Sequence, residues 1–122
     1  MDEEKLYAGK LPAGVKVSPT FEVKIYIAGS YSKAVEICAQ YCNSVGLCVT
    51  VTPTEYVYTY GRESGVIIGL MNYPRFPTTL EELEKIACKL AEWHLIPGLA
   101  QGSFSVVTPS RTIWWSKRPQ DH

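Results

Sequence analysis

The chain has 122 residues, the size of one domain, with 46% apolar and 20% charged residues, a balance that excludes wholesale disorder. Twelve Lys and Arg offset twelve Asp and Glu, so the net charge is zero, whereas a protein that coats DNA or RNA carries a basic excess. The longest apolar run is far short of the ~18 residues that cross a bilayer, and no signal peptide opens the chain, so a soluble cytosolic protein without a membrane contact is expected.

Four cysteines stand at 38, 42, 48 and 88 with no CxxC pair among them. They read as buried free thiols, and neither a metal site nor a cofactor is expected.

Residues 1–20 read as a flexible arm, interrupted by Gly9, Pro12, Gly14 and Pro19. Phe21 to Ile27 alternates, which predicts a strand with Val23, Ile25 and Ile27 buried. Ser30 or Ser32 is placed to cap a helix that runs through Val45, and Gly46 is suited to stop it. Leu47 to Thr52 alternates again. Pro53 is expected to break that strand, with a separate strand from Glu55 to Tyr60 carrying Tyr56, Tyr58 and Tyr60 on one face. Gly61 to Gly65 reads as a glycine-bounded turn, followed by an interior strand from Val66 to Met71 that is apolar on both faces.

Asn72 to Pro77 is a loop, and Thr79-Leu80-Glu81-Glu82 is a capping box. The helix it opens is predicted to reach about Leu95, with Leu83, Ile86, Ala87, Leu90, Ala91 and His94 on its apolar face, and to stop at Pro97-Gly98. Phe104–Val107 and Thr112–Trp115 close the domain as a hairpin, and 117–122 forms a tail. The order β-α-β-β-β-α-β-β predicts an α+β two-layer sandwich, a mainly antiparallel sheet with two helices on one face, over residues 21–116. Two helices cover one sheet face only, so the other is left aromatic-rich, the mark of an interface or ligand surface.

Catalysis finds no support in the pattern. His94 on an apolar face reads as structural, His122 is terminal, and no nucleophile-base pair, Walker loop or GxGxxG is present. Ile25-Tyr26-Ile27-Ala28-Gly29-Ser30 ends a strand at a helix start, where backbone N–H groups can meet a phosphate. It resembles the YIAG start of nucleoside 2-deoxyribosyltransferase-like enzymes, but no acidic nucleophile follows and the chain is too short for their sheet. A plain strand-to-helix turn accounts for it.

Binding is better supported. Asn72-Tyr73-Pro74-Arg75-Phe76-Pro77 offers an aromatic ring for a base, an arginine fork for phosphate and an amide for a polar edge. Arg111-Thr112-Ile113-Trp114-Trp115 places one indole on each side of a strand, with Arg111 placed to meet an anion. Arg62 in the predicted turn, beside Tyr58 of the tyrosine row, is a further candidate for anionic groups.

The runs CVTVTPTEYVYTYGRESGVIIGLMNYPRFPTTLEEL and SFSVVTPSRTIWW resemble the phage-encoded Thoeris anti-defence sponge proteins of the first type. The likeness spans Phe21 to Trp115, and GVIIGLxNYPRFP and SRTIWW are its most specific pieces. It implies a non-enzymatic protein that sequesters cyclic ADP-ribose isomers made by bacterial TIR-domain proteins, in the host bacterial cytoplasm. It also implies dimers grouped into a hexamer, with pockets between a protomer's sheet and its partner, and in some members separate sites for cyclic oligonucleotides. No DNA partner is implied. Under this reading Phe76 stacks the adenine, Asn72 reads a polar edge, Arg75 and Arg111 balance the pyrophosphate, and Thr112, Tyr58 and Arg62 complete the ligand set. The competing expectations are a glycosidic-bond or phosphodiester hydrolase acting on a nucleotide signal, and a purely structural oligomer.

Overall fold

The computed structural model describes residues 12–122, so residues 1–11 of the expected arm lie outside the described residues. Its elements are β1 (Glu22–Ala28), α1 (Tyr31–Val45), β2 (Val49–Tyr58), β3 (Gly61–Met71), α2 (Leu80–Leu90), β4 (Ser103–Val107) and β5 (Thr112–Ser116). A π-helical turn (Ala91–Leu95) carries α2 into a last short helix, α3 (Ile96–Leu99). The five strands form one antiparallel sheet in the order β2-β3-β1-β4-β5. This is the α+β sandwich that the alternation of period-2 and helical patterns predicts.

Pleating decides the two faces. Val23, Ile25 and Ile27 of β1 pair with Leu70, Ile68 and Val66 of β3, and all six are buried. They join Phe104 and Val106 of β4, and the helices close the layer with Ala34, Cys38, Leu83, Ala87, Leu90, Leu95 and Leu99. Trp115 packs on this side, its ring stacked on Phe104 at 5.5 Å between centroids. At about 25 cal/mol per Å² of apolar surface removed from water, this cluster is the main stabilising term.

Both helix starts follow the predicted capping. The Ser30 hydroxyl accepts from Lys33 N at 3.3 Å, and the Thr79 hydroxyl accepts from Glu82 N at 3.1 Å. Gly46, at φ 64°, ends α1, its N–H donating to Cys42 O at 2.9 Å.

Four expectations are corrected. Pro53 does not divide a strand: β2 runs unbroken from Val49 to Tyr58, because it lies at the sheet edge, where a residue without an N–H is tolerated. Gly61 to Gly65 is strand and not turn. The hairpin turns at Thr59-Tyr60, with Tyr60 at φ 63°, and the glycines serve another need. A Cβ on Gly65 would overlap the ring of Tyr56, and one on Gly61 the ring of Tyr58, so the bare positions seat cross-strand tyrosines.

Pro97-Gly98 does not stop the second helix either. The π-helical turn shifts the helical phase, Pro97 falls in the first turn of α3 where its missing N–H costs nothing, and Gly98 lets Ile37 of α1 approach. The same shift turns His94 outward: it is exposed, against Tyr41 at 5.1 Å, and not on the apolar face. The helix ends at Ala100, which adopts φ 54°. Ala100→Gly is therefore expected to raise stability by up to about 1 kcal/mol, since glycine enters the left-handed region without a Cβ penalty. A urea titration checks this, with a higher midpoint expected at unchanged slope.

Candidate functional site

The second sheet face is lined by the alternate set of side chains. One row across it reads Thr50, Gly69, Lys24, Val107, Thr112. The next row reads Thr52, Ile67, Tyr26, Ser105, Trp114. A groove of about 530 Å³ opens here, floored by Ile67 and Gly69 and walled by Thr50, Thr52, Glu22, Lys24, Met71 and Tyr73. Its volume falls within the roughly 300–1,000 Å³ range of small-molecule sites. The groove exists because Gly69 has no side chain: a Cβ there would run into the Thr50 hydroxyl.

Tyr73 is shared with a second cavity of about 340 Å³ formed by Gly14, Lys16, Pro74 and Arg75. The groove thus offers hydroxyls, an apolar floor and one ammonium beside the Glu22 carboxylate, with two further cations on the other side of Tyr73. Lys24 has only a loose ion pair, 4.0 Å from Glu22 with both side chains about half exposed, so its ammonium is available to an anion.

The seven residues singled out from the sequence do not converge within one chain. Asn72 is buried and committed to the fold: its Nδ2 donates to Pro19 O at 2.8 Å and its Oδ1 accepts from Thr78 N at 2.8 Å. Its backbone is engaged as well, the N–H donating to Phe21 O at 3.1 Å and the carbonyl accepting from Ser18 Oγ at 2.7 Å. Arg75 and Phe76 are exposed on the loop and together, the guanidinium carbon 5.5 Å from the ring centroid.

Arg111 grips Glu84 of α2 with two bonds of 2.8 and 3.0 Å. That grip holds the Glu84 carboxyl below its usual range. Thr112 lies on the open face but three strands from Gly69, about 14 Å away. Tyr58 and Arg62 stand at the turn end of the β2–β3 hairpin, away from the groove, where Arg62 pairs with Glu55 at 3.6 Å. The Gly29 N–H donates to Ser64 O at 3.0 Å and the Ser30 hydroxyl caps α1, so the Ala28-Gly29-Ser30 turn is built as a plain strand-to-helix turn.

Sequence reasoning missed Lys24, Thr50, Thr52 and Gly69. One signal was present: Gly61, Gly65 and Gly69 recur every four residues, so every second outward position of β3 lacks a side chain.

The thiols divide by burial. Cys38 is buried and pushed up to about 11, first by desolvation and then by its neighbour Cys42, while Cys48 is exposed at the groove wall. The expectation of uniformly buried thiols is thus corrected. Cys48 is expected to be alkylated by iodoacetamide in the folded protein, and Cys38 only on unfolding, as peptide mapping would show.

Among the described residues no helix is long and apolar enough to cross a membrane, and no group of three or more His, Cys, Asp or Glu is placed to hold a metal ion. Comparisons with protein-family models, with curated proteins and with solved structures give no match.

Proposed function

We propose that this protein binds a cyclic ADP-ribose-type signal in the open-face groove and holds it intact, as a phage-encoded sponge that blocks Thoeris immunity in the host bacterial cytoplasm. The observation that carries the reading is a coincidence of place. Residues 65–77, one of the two most specific parts of the resemblance, supply Ile67, Gly69, Met71 and Tyr73 to the groove and Arg75 to the cavity beside it.

The chemistry of the lining matches such a ligand. The floor at Ile67 and the Met71 wall accept a base, the Thr50 and Thr52 hydroxyls meet ribose hydroxyls, and Tyr73 presents a ring edge or face. The pyrophosphate calls for cations, which Lys24 supplies inside the groove and Lys16 and Arg75 supply past Tyr73. Arg111 serves the fold, since Glu84 occupies its guanidinium.

A sponge acts by stoichiometry, so it must bind tightly: a Kd of about 1 nM corresponds to about −12 kcal/mol. A ring-closed ligand loses little internal freedom, and a second copy laid over the open groove would slow its release. Assembly into dimers and a hexamer is part of the proposal, and so is a separate cyclic oligonucleotide site.

Titration calorimetry with cyclic ADP-ribose isomers tests the site. Tyr73→Ala and Lys24→Ala are each expected to weaken binding at least about tenfold, or ~1.4 kcal/mol, with the melting profile unchanged. If both variants bind like the parent, the groove is not the site. If the ligand returns cleaved, the hydrolase reading replaces the sponge.

A further inference from the structure

The open face carries a second depression that the nucleotide reading does not use. It lies at the other end of the sheet, about 190 Å³ in volume, and its walls are Tyr26, Tyr56 and Trp114 with Glu63 at the rim. We propose that it is a binding site for a small alkylammonium cation.

The register builds an aromatic slot. Tyr26 of β1 and Trp114 of β5 flank Ser105 of β4 in one cross-strand row, so two large rings rise on either side of a small residue. Two inter-strand spacings separate their backbones by about 10 Å, enough for a compact ion between the rings. Tyr56 closes the third side. It lies across Gly65, where a side chain would collide with it, and its hydroxyl donates to Val66 O at 2.6 Å. That bond fixes the ring over Gly65, with Ala28 and Ser103 completing the base of the depression.

Charge selects the ligand. Glu63 is the one acidic or basic side chain lining the depression, and its carboxylate takes no part in the ion pairs found among the described residues. Tyr56 stays protonated far above neutral pH, pushed up to about 12 chiefly by burial, so it presents a neutral ring. Three electron-rich rings around one carboxylate attract a cation and repel a phosphate. Trp114 is 54% exposed, a large indole face left in water until something covers it.

The site does not depend on the nucleotide reading, and the two are tested apart. Choline is titrated into the full chain and followed by tryptophan fluorescence and calorimetry, with 3,3-dimethylbutan-1-ol as its neutral isostere. Choline is expected to bind at least about tenfold more tightly than the neutral alcohol. Glu63→Gln is expected to reduce that preference about tenfold, Trp114→Ala to abolish binding and Trp114→Phe to retain it. Tyr73→Ala, in the other groove, should leave choline binding untouched. Both positions are exposed, so the variants should melt with the parent protein. Equal affinity for choline and the alcohol, no binding of choline, or a Glu63→Gln variant that keeps full preference for the cation would each overturn the assignment.

Discussion

Asn72→Ala is expected to lower the free energy of unfolding by about 1–3 kcal/mol, because it removes a buried amide and takes the partner from two backbone groups at once. The Pro19 carbonyl loses its donor and the Thr78 N–H loses its acceptor, each at 2.8 Å in the native fold. These two bonds tie the segment before β1 and the loop after β3 to one side chain, so the 72–77 loop loosens when the amide goes. For a chain of this size the melting temperature should fall by roughly 4–12 °C. Differential scanning calorimetry checks it, and a drop of only a degree or two would show that Asn72 is not the anchor of the loop. Phe76→Ala, at an exposed ring a few residues on, is expected to change stability by less than about 0.5 kcal/mol. A ligand assay on Asn72→Ala therefore reports the fold as much as any contact, whereas Phe76→Ala reports the contact alone.

Gly65→Ala carries the second large effect, about 2–3 kcal/mol of lost stability. A Cβ at Gly65 would stand 2.6 Å from Ile27 O and 2.9 Å from Ala28 Cα, both backbone, besides meeting the Tyr56 ring. Real Cβ atoms do not approach that closely, so β1 and β3 must separate locally. Gly61→Ala makes the matched control. Its Cβ would meet only side-chain atoms of Tyr58, an exposed residue whose ring can swing aside, so a cost below about 1 kcal/mol is expected. Chemical denaturation of both variants decides the matter. Equal costs below about 1 kcal/mol would mean that β3 tolerates side chains along its open face and that the glycine spacing is incidental. Adding Tyr56→Ala to Gly65→Ala should not restore stability, because the backbone overlaps remain.

How much of this was legible in the sequence follows from which forces act locally. Period-2 alternation in β1 and helical spacing after Ser30 and Thr79 are local signals, and each element they indicated is present with its cap. Pro53 misled because a proline breaks an interior strand but not an edge strand, and edge position is set by the sheet order. Gly61 and Gly65 misled for a similar reason. Glycine signals a turn locally, yet here it answers tyrosines on the neighbouring strand, a tertiary demand. The π-helical turn at Ala91–Leu95 moved His94 to the surface by adding a residue to the helical repeat, which no 3.6-residue template anticipates.

For the candidate site the limit was different. Asn72, Arg75, Phe76 and Arg111 were chosen for side-chain chemistry, and chemistry does not tell whether a group is already engaged. The amide of Asn72 and the guanidinium of Arg111 have partners within the chain, and only tertiary contacts reveal this. Lys24, Thr50 and Gly69 come from three strands and meet in one row through pairing. No single stretch of sequence brings them together.

The most direct test of the central claim is calorimetric titration of the full chain with a cyclic ADP-ribose isomer, followed by mass measurement of the ligand released on heating. The account predicts saturable tight binding, loss of affinity in Tyr73→Ala, and recovery of the ligand at unchanged mass. Absence of heat with every isomer, or recovery of a cleaved ligand, would contradict it.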